Sequence, residues 1–345
     1  MAIEKSLMLA SLIKRIKSYK TINSIIFDEL NNYRKSLKII PPHSSRLEIK
    51  RYGLKDYQIY PEGKNLSVDF LTSTIDSKWK FITKDTPISS MGSCFAAEIR
   101  LHLLARDYNF IQKEEHRWFS CAWGRVFSSI NMSQILSYSY DSFEPDQVYW
   151  FTKKGVMDPF RDSTVPSYKS ARDAEEGIKR HRLLSKEALN ESNVFIFTLG
   201  QNEVWIDEKD GKASTVRPPE EVLKKKKFYL KRLTIADNIK YMKEGFQLLW
   251  KNNPDCKVIL TLSPVPSYAT FYDTNVVLRS IANKALLLNA AHDLAEEYSE
   301  KVCYFPAFEI VNYISPLPYR TDKRHIKYRT VMTIMDCFEK VFCMP

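Results

Sequence analysis

The sequence predicts an α/β fold in which helices cover both faces of a parallel sheet, giving three layers. Three apolar runs, at residues 193–199, 256–262 and 302–305, are typical of strands buried on both faces. Segments with helical patterns alternate with these runs, as the crossover connections of a parallel sheet require. Polar residues follow the carboxyl ends of the strands, where such sheets place their functional sites.

A chain of 345 residues is long enough to bury a large core and to carry additions to one domain. We expect residues 1–80 to form a helical and irregular extension, because apolar and basic positions alternate at helical spacing near the start of the chain. Residues 81–345 are expected to form the α/β domain. Two segments, at about 138–192 and 206–250, exceed the length that a strand-to-helix connection needs, so we interpret them as insertions.

The formal net charge of +11 predicts an anionic partner, such as nucleic acid, a membrane surface, an acidic glycan or a phosphorylated cofactor. Residues 7–20 combine an apolar patch with basic side chains, which makes them a candidate for peripheral contact with the inner membrane. The alternative is a helix that packs on the core. No nucleic-acid-binding motif accompanies the charge, so specific nucleic-acid binding is not expected.

Two further features concern the compartment and metal binding. No run of 18 apolar residues is present, and the first apolar patch is too short for a signal peptide. The six cysteines form no Cys-x-x-Cys pair and lie in or beside apolar runs. We therefore expect a cytoplasmic protein with reduced thiols, no metal site and no tightly bound cofactor.

Residues 87–100 predict a short strand, a tight turn and the first turn of a helix. Gly92 permits a backbone conformation that a Cβ would resist, and apolar residues at helical spacing begin at Phe95. Ser93 is therefore expected at the helix N-terminus, near unpaired N–H groups that stabilise developing negative charge. Two interpretations remain open here: Ser93 caps the helix, or it is a nucleophile.

The string Gly92-Ser93-Cys94-Phe95-Ala96 resembles the signature of the GSCFA family, a bacterial group similar to the SGNH (GDSL-like) serine hydrolases. The resemblance implies a flavodoxin-like α/β/α fold of the SGNH type and a nucleophilic role for Ser93. It also implies that Gly124, which lies among aromatic residues, is the glycine whose N–H faces an oxyanion.

Two later motifs extend the resemblance. The string Gly200-Gln201-Asn202-Glu203 is similar to the third SGNH block, which implies that the Asn202 amide is an oxyanion donor. Glu203 stands where that block has an aspartate. Asp322 and His325 form an Asp-x-x-His motif, and this spacing lets a turn place the carboxylate under the imidazole.

Together, the resemblance implies acyl transfer through a Ser93-His325-Asp322 triad and an acyl-enzyme, on an acetylated carbohydrate or polysaccharide. The protein would be an O-acetyltransferase, with acetyl-CoA as a candidate donor, or an acetylesterase. Candidate substrate-binding residues are Arg125, Asp158, Arg161 and Glu203, and the lysines at 224–227 could also face CoA phosphates. The alternatives are an inactive carbohydrate-binding or polysaccharide-assembly module and a nucleic-acid-binding protein.

Overall fold

The computed structural model describes Asp28 and residues 53–115, 118–140 and 149–344 of the chain. Contacts divide the chain into two units, Met1–Gly63 and Lys64–Pro345. The candidate membrane-contact segment at residues 7–20 lies outside the described residues, and the expected boundary near residue 80 stays a prediction. No helix in the described part of the chain is both long and apolar enough to span a membrane.

All strands and helices named below belong to the second unit. In chain order the strands are β1 (Ile88–Gly92), β2 (Trp150–Thr152), β3 (Gly155–Met157), β4 (Val194–Leu199), β5 (Glu203–Asp207), β6 (Ala213–Ser214), β7 (Phe228–Arg232), β8 (Lys257–Leu262) and β9 (Val302–Phe305). The α-helices are α1 (Val68–Thr72), α2 (Cys94–Ala105), α3 (Ser129–Ser139), α4 (Ala171–Glu191), α5 (Glu220–Leu223), α6 (Ile235–Asn252), α7 (Val276–Glu297), α8 (Ala307–Glu309) and α9 (Tyr328–Phe342), with a π-helical turn at Ile310–Ile314.

The central sheet has four parallel strands in the order β1-β4-β8-β9. Gly92 pairs with Thr198, Thr198 pairs with Thr261, and Thr261 pairs with Phe305. The carboxyl ends of all four strands therefore meet at one edge, as the continuous apolar runs predicted. The α/β fold class with a parallel sheet is confirmed.

Helices cover both faces of this sheet. Phe195 and Phe197 of β4 pack in one core cluster with residues of α3, α4, α6 and α7. Val194 and Ile196 alternate with them and pack in a second cluster with residues of α2 and α9. Because successive side chains of a strand point to opposite faces, β4, which is apolar except for Thr198, serves both cores. The expected three layers are confirmed.

Two small antiparallel sheets accompany the central one, β2 with β3 and β6-β5-β7. Residues 219–251 are rich in lysine and follow a helical pattern in the sequence, which predicts a basic helical region there. That prediction is wrong in part, because Phe228–Arg232 forms β7. Residues Phe228 to Arg232 pair with β5 along its whole length, so partners 21 to 29 residues earlier in the chain decide the conformation. Helix α6 begins only after Thr234, which forms a capping box with Asp237.

Candidate active site

Ser93 lies at the junction between β1 and α2. It is the N-cap of α2, and its Oγ accepts a hydrogen bond from the Phe95 N–H at 3.2 Å. The capping interpretation is therefore confirmed as local structure. It does not exclude chemistry, because a hydroxyl that accepts one hydrogen bond keeps its own proton to give away.

Gly92 lets β1 end close against β4. Its φ is +144°, and a Cβ added here would lie 2.5 Å from Thr198 Oγ1 and 2.6 Å from the Thr198 carbonyl oxygen. A Cβ added at Gly200, just after β4, would meet Phe127 at 2.9 Å and Ser93 Cβ at 3.5 Å. Two glycines thus allow the ends of β1 and β4 to pack tightly around Ser93.

The stretch before α3 contacts the carboxyl end of β1. The Val126 N–H donates to the Gly92 carbonyl at 2.8 Å. The next carbonyl, that of Phe127, accepts hydrogen bonds from the N–H groups of Gly200 at 2.8 Å and Gln201 at 3.0 Å. This stretch therefore joins the carboxyl ends of β1 and β4 and forms one wall beside Ser93.

The loop before α9 carries Asp322 and His325. Asp322 Oδ2 lies 2.5 Å from His325 Nδ1, and Asp322 Oδ1 accepts the backbone N–H groups of Arg324 and His325, each at 3.0 Å. The Arg324 N–H and the His325 ring together lower the pKa of Asp322 to about 2. Because the carboxylate holds the proton on Nδ1, Nε2 is the ring nitrogen left to act as a base.

Contacts with the loop after β8 fix the position of the His325 loop. The Tyr319 hydroxyl donates to the Pro264 carbonyl at 3.4 Å, and Arg324 donates to the Pro266 carbonyl at 3.2 Å. The loop after β8 leaves the carboxyl edge of the sheet. His325 is thereby held at the same edge as Ser93.

Ser93 and His325 line one cavity of about 540 Å³. Its wall also includes side chains from the start of α2, the stretch before α3, the turn after β4, the loop after β8 and the His325 loop: Cys94, Glu98, Trp118, Arg125, Phe127, Gln201, Tyr268, Arg320 and Arg324. No hydrogen bond joins Ser93 Oγ to His325 within the described residues, and such bonds are often long in an empty site. The volume is typical of a site for a small molecule.

A protein-family model, that of the GSCFA family, matches residues 87–338. The chain belongs to the GSCFA family. The match spans the four central strands and every wall residue of the Ser93 cavity. No curated protein shows significant similarity to this GSCFA chain.

Several solved structures resemble this GSCFA chain distantly. A Streptococcus pneumonia protein named after platelet activating factor is 9% identical, with 78% of this chain and 91% of that chain covered and a TM-score of 0.37. A carbohydrate esterase family 3 protein from Talaromyces cellulolyticus is 12% identical, with 74% and 95% covered and a TM-score of 0.31. An acetyl xylan esterase from Butyrivibrio proteoclasticus is 11% identical, with 74% and 62% covered and a TM-score of 0.32. Scores this low do not establish a shared fold or activity.

Asn202, the expected amide donor, lies outside the Ser93 cavity of this GSCFA protein. Its Nδ2 donates to the Asn283 carbonyl at 2.9 Å, and its Oδ1 accepts from Asn238 Nδ2 at 2.9 Å. The side chain is fully buried. In this structure Asn202 therefore links the turn after β4 to α6 and α7, and the neighbouring Gln201 lines the cavity instead.

Gly124, the expected second-block glycine, also lies outside the cavity wall. Its φ is +72°, and a Cβ there would lie 2.6 Å from Asp162 Oδ1, so the position requires glycine. The family resemblance also implies an oxyanion role for the backbone N–H of Ser93, which donates here to the Thr198 carbonyl at 3.3 Å. The oxyanion roles of these groups stay predictions.

Of the four candidate substrate-binding residues, Arg125 alone lines the cavity. Its Nε pairs with buried Asp162 Oδ2 at 2.6 Å. Arg161 is buried and donates to the Ala122 carbonyl at 2.6 Å and to the Tyr168 hydroxyl at 2.8 Å. Arg161 therefore braces the wall that carries Arg125 rather than facing the cavity.

Asp158 and Glu203 likewise contact protein groups. Asp158 is buried, accepts the Phe160 N–H at 2.8 Å, and has its pKa raised by burial. Glu203 accepts from Thr270 Oγ1 at 2.8 Å. It lines an adjoining cavity of about 240 Å³ that shares Phe127, Gln201 and Tyr268 with the Ser93 cavity. The lysines at 224–227 do not line the Ser93 cavity either.

A buried lysine supports the floor of the site. Lys284 of α7 donates to the Ser263 carbonyl at 2.7 Å and to the Gly200 carbonyl at 3.1 Å. Burial lowers its pKa to about 7. It joins the turns after β4 and β8, which both line the cavity. The sequence offered one signal for it, a lysine directly before the apolar run at residues 285–288.

Cys94 lies beside Ser93 in the cavity wall. Burial raises the pKa of the Cys94 thiol, and the positive charges of Arg125, Lys284 and Arg324 oppose this rise. The thiol is therefore protonated at neutral pH and is a poor nucleophile.

Sequence reasoning missed several wall residues: Glu98, Trp118, Gln201, Tyr268, Arg320 and Arg324. Gln201 lies inside the Gly-x-Asn string, Arg324 lies inside the Asp-x-x-His motif, and Arg320 precedes that motif by two residues. Adjacency to a motif could have indicated these three. Trp118 and Tyr268 carry no such signal, because only the folded chain brings their segments to Ser93.

Proposed function

We propose that this GSCFA protein is a serine esterase in which Ser93, His325 and Asp322 act as a catalytic triad. The observation that supports the proposal most is that Ser93 and His325 share one cavity while Asp322 holds the other nitrogen of the His325 ring. A nucleophile, a base and a carboxylate that orients the base recur in acyl-transfer enzymes on unrelated folds.

In the proposed reaction, His325 Nε2 removes the Ser93 proton as Oγ bonds to the ester carbonyl carbon. The carbon–oxygen bond to the alcohol then breaks, and the imidazolium returns its proton to the leaving oxygen. Water, or a second alcohol, attacks the acyl-enzyme while His325 accepts its proton, and Ser93 regains a proton on release. Hydrolysis and transfer differ only in this acceptor.

The first turn of α2 and the Gln201 side chain are the proposed donors to the oxyanion. The Cys94 N–H is the first of the helix and donates no hydrogen bond to a described residue, and Gln201 lines the cavity. Preorganised donors of this kind are each typically worth about 3 to 4 kcal/mol in the barrier. The Asn202 amide would have to leave its partners on α6 and α7 to reach the cavity.

The proposed substrate is an acetylated carbohydrate, as the family resemblance implies. The cavity offers the aromatic side chains of Trp118, Phe127 and Tyr268 as apolar surfaces, and its volume of about 540 Å³ suits one sugar unit with its acyl group.

The test is labelling with a serine-directed fluorophosphonate, followed by mass spectrometry. We expect one adduct on Ser93, no adduct in Ser93→Ala, and loss of acetyl-ester hydrolysis in that variant with an unchanged circular dichroism spectrum. Ser263→Ala is the matched control, because Ser263 is a second serine in the same wall. An adduct on Ser263, or full activity in Ser93→Ala, would contradict the proposal.

A further inference from the structure

Two arginines in the wall of the Ser93 cavity, Arg320 and Arg324, form no ion pair within the described residues. Arg320 Nε donates to the Ile326 carbonyl at 3.0 Å, and Arg324 donates to the Pro266 carbonyl at 3.2 Å. Arg324 Nε is buried and has no hydrogen-bond partner among the described groups. Both guanidinium groups therefore keep donors and charge available.

The other charged groups of the wall do not cancel this charge at the His325 loop. Arg125 is paired with Asp162, and Asp322 is paired with His325. Glu98 of α2 is the one carboxylate among the described wall residues. A cavity with two unpaired arginines on one loop and one carboxylate on a different element favours an anion beside that loop.

The positive charge of Arg324 is also felt close to Ser93. Together with Arg125 and Lys284, Arg324 opposes the rise that burial causes in the pKa of the Cys94 thiol, and Cys94 is the residue next to Ser93. Arg324 lies over the Tyr268 ring, with its guanidinium carbon 4.9 Å from the ring centroid. This contact and partial burial restrict the side chain, so less conformational entropy is lost when it binds a ligand.

We propose that Arg320 and Arg324 form an anion subsite, so that the ester cleaved at Ser93 carries a carboxylate or phosphate on its alcohol part. This inference rests on the proposed function of Ser93. The alcohol part is the side concerned, because His325 protonates the leaving oxygen and both arginines belong to the His325 loop. A guanidinium group matches carboxylate and phosphate oxygens in pairs.

The test compares three acetyl esters: neutral phenyl acetate, 4-acetoxybenzoate and 4-acetoxyphenyl phosphate. For each anionic ester, the measured quantity is its kcat/KM divided by that of phenyl acetate. Arg324→Gln is expected to lower this ratio about tenfold, and Arg320→Gln to lower it less because Arg320 is more exposed. Intrinsic ester reactivity cancels when a variant is compared with the wild type. The ester with the larger loss identifies carboxylate or phosphate as the preferred group.

Lys323→Gln is the matched control, because it removes one positive charge from the same loop at an exposed residue outside the cavity wall. It should leave the ratio unchanged. Equal losses for neutral and anionic esters in Arg324→Gln would show a structural role for Arg324 and overturn the inference. So would a Lys323→Gln effect as large as that of Arg324→Gln.

A second measurement separates this inference from the proposed function. Calorimetry on Ser93→Ala, with and without Arg324→Gln, measures binding of 4-acetoxybenzoate without turnover. We expect the second substitution to weaken binding about tenfold. If no ester is cleaved and Ser93 takes no label, the proposed function fails, and the anion subsite stands on this binding difference. Equal binding by the two proteins would overturn the subsite.

Discussion

Asp322 and His325 are joined at 2.5 Å between Oδ2 and Nδ1, and the other oxygen of Asp322 accepts two backbone N–H groups of the same loop. One carboxylate therefore fixes both the loop and the tautomer of the imidazole. A substitution can separate these two tasks. The oxygen of an asparagine side chain can still accept the two backbone N–H groups, but the asparagine NH2 group cannot accept a hydrogen bond from the proton on Nδ1.

Asp322→Asn is accordingly expected to keep the loop and to lose activity. We expect kcat for acetyl-ester hydrolysis to fall on the order of 10²- to 10⁴-fold. The urea midpoint at pH 7 should fall only slightly, because solvent screens the half-exposed Asp322 carboxylate. Asp322 has its pKa lowered to about 2, so stability from its ionised form is complete above about pH 4 and is lost as the pH falls toward 2. Urea midpoints of the variant and the wild type should therefore converge at low pH. An active Asp322→Asn would remove Asp322 from the triad.

Gln201→Ala is expected to lower catalysis, whereas Asn202→Ala is expected to lower stability. Gln201 lines the cavity, so its loss should lower kcat by about 10²-fold or more and leave stability nearly unchanged. Asn202→Ala removes the hydrogen bond to the buried Asn283 carbonyl and one of the two bonds that the Asn238 amide donates, which should cost about 2 kcal/mol of unfolding free energy. Steady-state kinetics and urea unfolding of both variants provide the comparison. If Asn202→Ala is stable and loses kcat, the amide donor of the family pattern is Asn202 after all.

The lowered pKa of Lys284 predicts that folding stability rises with pH. Its pKa is about 7 in the folded protein, whereas an unfolded chain holds the proton to about pH 10.4. Between these values the unfolded state binds the additional proton, so folding stability from this group rises with pH. The unfolding free energy of the wild type minus that of Lys284→Met should rise across this window by at most about 1.4 kcal/mol per pH unit.

The control for that series is Lys251→Met, since Lys251 is exposed near the end of α6. Urea unfolding of all three proteins at pH 7, 8, 9 and 10 gives their unfolding free energies. If the difference in unfolding free energy between the wild type and Lys284→Met stays constant with pH, Lys284 keeps its proton in both the folded and the unfolded state.

Acetyl-CoA binding tests transfer against hydrolysis. We expect acetyl-CoA to bind, binding to weaken several-fold with added salt because CoA phosphates meet arginines at the cavity, and CoA release to accelerate when a sugar acceptor is present. Calorimetry and thiol detection measure these effects. No acetyl-CoA binding, together with Ser93-dependent hydrolysis of p-nitrophenyl acetate, would assign the protein to the esterases.

The elements around Ser93 separate what local sequence determines from what distant pairing determines. The strand, turn and helix start were predictable, because apolar runs, a glycine and helical spacing act locally: β1 ends at Gly92 and α2 begins after Ser93. The antiparallel strand at Phe228–Arg232 was not predictable, because its partner β5 lies in another part of the sequence.

The same division holds for the site. The sequence by itself determined the parallel sheet and the Asp-x-x-His turn, since each depends on burial pattern or on residues a few positions apart. Only the tertiary structure decided that Gln201 rather than Asn202 lines the cavity, that Lys284 supports its floor, and that Arg320 and Arg324 are unpaired among the described residues. These properties depend on which distant segments meet at the carboxyl edge of the sheet, and packing sets that arrangement.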